Sequence, residues 1–189
     1  MSATAVAPAF GDDTELARRA AEGDLGAFEA LVARHRDVVV RVATRIVGRD
    51  DAEDVAQDAL LRAFHSLRSY RGDAPFRSWL LRIVHNLSLN ELERRRPVPV
   101  EVGEETPADL PEAAQPASSL EQSERRDRLA MKIRALRPEH RAVLVLRDLE
   151  GMPYEDIARI TEAPMGSVKG RLHRARGELM DLLRNNTYD

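Results

Sequence analysis

The sequence lacks cysteine and has few aromatic residues. None of its 189 residues is cysteine, and phenylalanine, tryptophan and tyrosine together make up 4%. The absence of cysteine excludes disulfides and thiolate metal sites, and it fits a reducing compartment. No apolar run approaches the roughly 20 residues that a membrane-spanning helix needs, and the first residues show no signal-peptide pattern. We therefore expect small helical cores, a cytoplasmic localisation, and no membrane insertion.

Basic residues do not outnumber acidic ones, because the formal net charge is −3. That sign is unfavourable for a protein that binds nucleic acid, but the charge is segregated along the chain. Residues 97–124 contain seven acidic residues and no basic one, whereas residues 125–184 contain fourteen basic and nine acidic residues. Residues 62–96 contain eight basic and three acidic residues. Local basic surfaces therefore remain compatible with nucleic-acid binding.

A segment rich in proline and acid divides the chain. Residues 97–118 contain five of the ten prolines, and such a composition cannot bury enough apolar surface to fold alone. Because no stretch alternates apolar and polar residues, the pattern predicts an all-α protein. We expect two small helical domains, at 12–96 and 119–185, joined by an extended acidic linker at 97–118.

Capping residues and apolar spacing predict where the helices begin. Asp12 or Asp13 is predicted to cap the first helix, and Asp24 to cap a second helix that runs to Val47 before Gly48. The other helices are predicted near 50–67, 75–95, 119–135, 139–150, 153–160 and 164–184.

The last two predicted helices form the most informative pattern in the sequence. The second of them has an apolar face made by Val168, Leu172, Ala175 and Leu179. A separate face is small or cationic and holds Lys169, Gly170, His173 and Arg174. A helix that is supported from behind and presents such a face is typical of readers of the DNA major groove. The alternative interpretation is a solvated surface helix.

Two further clusters lie in the first half of the chain. Around the fourth helix, aromatic residues alternate with arginines, a pattern suited to single-stranded nucleic acid, and asparagines on one face can reach base edges. Alternatively, Phe76 and Trp79 belong to the core and the polar face is merely solvated.

The third helix begins with the acidic residues Asp50, Asp51, Glu53, Asp54 and Asp58. These acids either stabilise the helix N-terminus or bind a basic partner.

Five segments, in order, resemble a known family. They are GDLGAFEALVARH, DAEDVAQDALLRAF, YRGDAPFRSWLLRIVHN, LRPEHRAVLVLRDLEGMPYEDIARI and PMGSVKGRLHRAR. From about Leu16 to Leu183 the chain resembles the extracytoplasmic-function (ECF) sigma factors, the group 4 members of the sigma-70 family. The resemblance implies an alternative sigma factor, not an enzyme, that binds core RNA polymerase. It would recognise the −35 and −10 promoter elements and assist melting, with its linker threading through the active-site cleft.

The resemblance also implies roles for individual residues. Binding to the clamp helices of the polymerase β′ subunit falls to Asp51, Asp54, Gln57 and Asp58. Recognition of the −10 element falls to Tyr70, Arg71, Phe76, Arg77, Arg82, Asn86 and Asn90. Recognition of the −35 element falls to Ser167, Lys169, Gly170, Arg171, His173, Arg174 and Arg176. Of these, Arg171 and Arg176 are also suited to phosphates or to the β flap.

Two residues depart from the family pattern. Glu162 stands where members usually have glycine, and a positive φ at this position would cost a glutamate about 1 kcal/mol. Leu89 stands where a polar residue is common on the DNA face.

By resemblance we expect an anti-sigma factor as a partner, a monomer when the protein is free, and neither a cofactor nor a metal site.

Two other functions are compatible with parts of the sequence. One is a decoy that binds an anti-sigma factor without touching DNA, which the basic face of residues 166–176 disfavours. The other is a helix-turn-helix repressor, which would usually dimerise to read two half-sites. An enzyme is the least favoured, since the five histidines do not fall at metal-binding spacing and no catalytic motif is present.

Overall fold

The computed structural model describes residues 10–95 and 117–184, and within these ranges it contains helices and no strand. The predicted linker falls almost wholly outside the described residues, as does Arg96. The all-α, two-domain expectation is confirmed. No helix in the described ranges is long and apolar enough to cross a bilayer. The helices are α1 (Phe10–Ala21), α2 (Leu25–Val47), α3 (Arg49–Ser66), α4 (Phe76–Arg94), α5 (Ala117–Ala135), α6 (Pro138–Leu144), α7 (Tyr154–Thr161) and α8 (Met165–Arg184).

The ends of α2 follow directly from the sequence. The Asp24 side chain accepts a hydrogen bond from the Ala27 N–H at 3.1 Å, which satisfies one of the free donors of the first turn. At the other end Gly48 adopts φ 103°, a conformation that disfavours residues with a Cβ atom. Both predicted signals are therefore used as expected.

The predicted cap of α1 is wrong. The helix already begins at Phe10, so Asp12 and Asp13 lie inside it. The Asp13 carboxylate instead binds side chains of α2: one oxygen lies 2.9 Å from Arg34 Nη1 and the other 2.8 Å from His35 Nε2. A tertiary partner has taken the carboxylate that local sequence assigned to capping.

The N-terminal domain, α1 to α4, packs around one apolar core. A 3₁₀ turn at Leu67–Ser69 ends α3 and leads into the loop before α4. The side chains at the centre of this core are almost fully buried and are aliphatic: Leu31, Val39, Val42, Ile46, Leu80, Leu81 and Val84.

The buried residues of the C-terminal domain, α5 to α8, are continuous with this core. Helix α6 continues through a π turn at Val145–Leu149, so the predicted helix near 139–150 is two segments. The buried residues that join α6, α7 and α8 are Val143, Leu146, Ile157, Ile160, Val168, Leu172 and Ala175. Glu162, between α7 and α8, has φ 50° and ψ 37°, which lies in the left-handed region that favours glycine.

One of the contacts between the two domains is made by a buried arginine. Arg141 on α6 donates to the carbonyl of Ile46 in the last turn of α2. It also donates to the carbonyls of Arg134, in the last turn of α5, and Leu136, just after that helix. Burial lowers the pKa of Arg141, and nearby Arg134 lowers it further. One guanidinium thus satisfies helix C-termini from both domains.

Candidate nucleic-acid interface

Helices α7 and α8 present the predicted basic face to solvent. Val168, Leu172 and Ala175 are buried, as their spacing predicts. Lys169, His173 and Arg174 are exposed on the other side of α8. The face that the sequence predicts for DNA is therefore physically accessible. Ser167 is also exposed, and Gly170 and Arg171 are half-buried.

Cationic side chains at one end of this face are held in place by Tyr154 and Asp148. The guanidinium of Arg147 lies 4.6 Å from the centre of the Tyr154 ring, and the ammonium of Lys169 lies 5.5 Å from it. Both distances suit cation–π attraction. Arg176 donates to both oxygens of Asp148, at 2.9 and 2.6 Å, and the hydrogen bond to Asp148 raises the pKa of Arg176. Arg176 is therefore engaged in orienting α8, in addition to any contact with a phosphate.

A cavity lies between the loop before α4 and the first turns of that helix. It measures about 380 Å³ and is lined by Ser69, Tyr70, Arg71, Asp73, Ala74, Ser78, Trp79, Arg82 and Arg159. The Tyr70 hydroxyl donates to the Ala74 carbonyl at 2.9 Å, which closes the loop. An aromatic wall, arginines and a backbone loop together suit an unstacked base.

Phe76 does not face this cavity as an exposed platform. Its side chain is 2% exposed, and its ring lies 5.4 to 5.5 Å from the rings of Tyr70, Trp79 and His35. The expectation of direct DNA contact is corrected here, and the core alternative holds. Phe76 supports Tyr70 and Trp79 from behind because its ring completes the core under the loop.

Arg82, Asn86 and Asn90, also predicted for the −10 element, lie on one side of α4 at steps of four residues. Asn86 and Asn90 are exposed, and Asn86 Oδ1 lies 2.9 Å from Nδ1 of buried His85. Arg77 and Arg82 reach acidic residues of the C-terminal domain: Arg77 binds Glu150 at 3.1 Å, and Arg82 lies 3.4 Å from Glu162. The sequence brought these arginines together but did not predict their acidic partners.

An apolar groove runs between α2 and α3. Four large apolar residues of α2 and α3 line a groove of about 560 Å³: Phe28, Val32, Leu60 and Phe64. Leu25 and Leu61 beside them are 61% and 51% exposed. A signal was available in the sequence, since α3 carries more large apolar residues than one buried stripe requires.

The acidic start of α3 divides into two groups. Asp54, Gln57 and Asp58 are exposed, and Gln57 lines the groove. Asp51 is only 8% exposed and accepts a hydrogen bond from Arg95 at the end of α4. The expectation that Asp51 binds a partner is therefore corrected, because its charge is neutralised within the domain.

The described residues hold no group of three or more histidine or acidic side chains placed to bind a metal ion.

Family models match both halves of the chain. The model for Sigma-70 region 2 matches residues 31–98, and the model for Sigma-70 region 4 matches residues 126–179. Helices α2 to α4 thus correspond to the first region and α5 to α8 to the second. The fold and the two surfaces define a protein of the sigma-70 class.

Curated relatives narrow the class. The ECF RNA polymerase sigma-E factor of Escherichia coli strain K12 is 36% identical over 172 residues, which cover 87% of this chain and 90% of that protein. The sigma-E factor of Haemophilus influenzae is 35% identical over 172 residues, covering 87% of this chain and 91% of that protein. The chain belongs to the ECF sigma factors of bacterial RNA polymerase. As an alternative sigma factor, it acts in promoter recognition and transcription initiation, which confirms the function expected from the resemblance.

Solved structures agree with this assignment. CnrH, solved in complex with the cytosolic domain of CnrY, is 32% identical with a TM-score of 0.69, and the match covers 93% of this chain and 99% of CnrH. RpoE of Bartonella quintana, solved with the anti-sigma factor NepR, has a TM-score of 0.63 at 23% identity. That match covers 84% of this chain and 98% of RpoE, and it supports the fold alone.

Proposed function

We propose that three surfaces of this sigma factor have separate binding roles in transcription initiation. The exposed face of α8 reads the −35 element, the loop and α4 capture a base of the −10 strand, and the α2–α3 groove binds core polymerase. The observation that carries the proposal is α8 itself. Its apolar side is buried, whereas Lys169, His173 and Arg174 face solvent.

The chemistry of α8 suits base edges in a major groove. Lysine and arginine donate to the acceptors of guanine, and Gly170 allows a close approach of the backbone because it lacks a side chain. Arg171 and Arg176 lie at the sides of the face, where phosphate contacts position the helix. Arg176 is held by Asp148, so the helix is oriented before DNA arrives.

The cavity beside α4 suits the capture of a flipped base. Extruding a base costs a few kcal/mol, so a preformed pocket with an aromatic wall lowers the barrier to melting. Tyr70 and Trp79 supply ring surfaces, and Arg71 and Arg82 supply positive charge beside them. Asn86 and Asn90 extend the polar face along α4.

The α2–α3 groove suits a partner helix with apolar and basic residues. Leu25, Leu61 and Phe64 expose apolar surface, which a partner would remove from water. Asp54 and Asp58 add negative charge beside it, and Gln57 adds a neutral hydrogen-bonding group. We assign this surface to the clamp helices of the β′ subunit, with Arg171 and Arg176 as further candidates for the β flap.

Other properties follow from the same proposal. The protein acts in the cytoplasm as a non-enzymatic subunit, is a monomer when free, and is held inactive by an anti-sigma factor. CnrH, which is 32% identical to this chain, is solved in complex with the cytosolic domain of CnrY, and this supports a protein partner for the fold. The decoy alternative is disfavoured because α8 keeps an exposed basic face.

In vitro transcription tests the proposal. Mapping transcript 5′ ends after overexpression identifies a promoter. Purified protein added to core polymerase should then start transcription at that promoter. Arg174→Ala should weaken binding at the −35 element by about 1–3 kcal/mol, because a base contact is lost. Arg184→Ala, which removes the same charge at the far end of α8, is the matched control. Equal promoter use by wild type and Arg174→Ala would refute the assignment of α8.

A further inference from the structure

Three arginines of the N-terminal domain surround one glutamate of the C-terminal domain. Glu150 follows the π turn, and its side chain is 3% exposed. Its Oε1 accepts from Arg41 at 2.9 Å and from Arg45 at 2.6 Å. Its Oε2 accepts from Arg41 at 3.0 Å and from Arg77 at 3.1 Å.

The cluster has more positive charge than Glu150 neutralises. Three guanidinium groups share a single buried carboxylate, and the other acid acting on Arg41 is Asp37. The Nε donor of Arg77 is buried and has no hydrogen-bond partner among the described residues. Guanidinium groups bind carboxylates and phosphates in the same forked geometry. The site is therefore built for an anion and retains a donor for another oxygen.

The cluster adjoins the surface assigned to the −10 element. Arg77 precedes Ser78, which lines the cavity beside α4. The C-terminal domain also covers this surface elsewhere. Arg159 of α7 lines the same cavity, and Glu162 reaches Arg82 although its backbone is held in a left-handed conformation. Acidic side chains of one domain thus lie on arginines that face DNA in the proposed complex.

We propose that Arg41, Arg45 and Arg77 form a binding site for DNA backbone phosphate, which Glu150 of the same chain occupies while the two domains are closed. The inference rests on the function proposed above and adds two residues of α2 to the −10 surface. Glu150 stands where a phosphate would stand, so the domains must separate before α4 meets DNA. Closure and the binding of DNA at α4 are mutually exclusive because they use the same donors.

The first experiment measures DNA binding without polymerase, using a fluorescein-labelled single-stranded DNA of mixed sequence. Glu150→Gln should bind several-fold more tightly than Glu155→Gln, which removes the same charge from an exposed position on α7. Equal affinity of these two variants would overturn the proposal. The thermal melt of each variant verifies that it is folded.

The arginines are then tested in the open background. Arg41→Gln and Arg45→Gln, added to Glu150→Gln, should remove the gain and lower the salt dependence of binding, by about 0.7 in logarithmic slope per lost phosphate contact on single strands. Arg18→Gln and Arg19→Gln in the same background remove equal charge from α1 and should preserve the gain. Retention of the gain without Arg41 and Arg45 would refute the phosphate site.

A cross-link tests closure independently of Glu150. The chain has no cysteine, so Arg49→Cys with Asp127→Cys creates a unique pair across the interface, at an exposed ion pair between α3 and α5. Bridging the pair with a bis-maleimide should weaken binding of the single-stranded DNA several-fold, whereas each single variant treated with a monomaleimide should bind as the untreated protein does. Binding by the bridged protein equal to that of the single variants would contradict mutual exclusion. None of these assays requires transcription, so their failure is distinguishable from failure of the proposed function.

Discussion

The two basic faces of the molecule differ in what lies against them. On α8, Lys169 and Arg174 are exposed to solvent. Near the start of α4, Arg77 and Arg82 lie against Glu150 and Glu162 of the other domain. Arginines that look alike in the sequence are thus either available or occupied, depending on which domain packs against them. The comparison indicates that the two promoter elements are not equally accessible to the free protein.

The difference in accessibility between the two basic faces depends on how strongly the two domains bind each other. Arg141→Met should destabilise the protein by about 2 kcal/mol, because buried carbonyls of both domains lose their donor. Hydrogen exchange should rise in the last turn of α2 as well as in α6, since Arg141 binds the Ile46 carbonyl.

The control for this prediction is Arg137→Met, which removes an exposed arginine near the start of α6. It should leave exchange in α2 unchanged. Faster exchange confined to the C-terminal domain in Arg141→Met would show that the two domains are energetically independent.

A smaller effect is expected at the turn between α7 and α8. Glu162→Gly relieves a left-handed conformation that costs a non-glycine residue about 1 kcal/mol. The pair that Glu162 makes with Arg82 is exposed, so its loss should cost less, at most about 0.5 kcal/mol. We expect a net gain of about 0.5 kcal/mol in denaturant unfolding, together with weaker closure of the domains. Glu162→Ala keeps the strain and loses the pair, so a gain equal to that of glycine would contradict this explanation.

The smallest effect concerns pH. Burial lowers the pKa of His85, against opposing contributions from Asn86 and Glu162, while Arg171 lowers it further. A histidine whose pKa is lower in the folded chain binds protons more readily when unfolded. Above the pKa of about 6.5 that histidine has in the unfolded chain, His85 is neutral in both states and stability is at its full value. As the pH falls from there through the lower pKa of the folded chain, stability is lost.

Unfolding measured between pH 7.5 and 5.5 checks this prediction. His85→Gln should reduce the loss of stability on acidification, whereas His65→Gln, at an exposed position of α3, should not. An identical pH slope in wild type and His85→Gln would rule out His85 as the titrating group.

Features that depend on local spacing were predicted from the sequence. The Asp24 cap, the stop at Gly48 and the buried stripe of α8 appear where expected, because each depends on residues within a few positions of one another. The order of the five family segments likewise identified the class of protein. The positions of Lys169 and Arg174 away from the buried stripe of α8 follow from helical period.

Pairings between distant residues were not predictable in this way. Asp13 is a predicted helix cap, and Asp51 is predicted to stabilise the start of α3 or to bind a partner. In the structure Asp51 binds Arg95 and Asp13 binds side chains of α2. Phe76 fits an exposed aromatic platform by sequence, but the packing of α4 places it in the core. In each case a contact across the domain outcompeted a local preference.

What the sequence by itself determined is an all-helical sigma factor with a basic reading helix, since helical period, capping residues and segment order are properties of neighbouring residues. What only the tertiary structure decided is which charges remain available. Glu150 and Arg41 are 109 positions apart, and no local pattern links them. Their pairing arises because packing α7 on α4 brings the two domains together, and a buried carboxylate must then find positive partners.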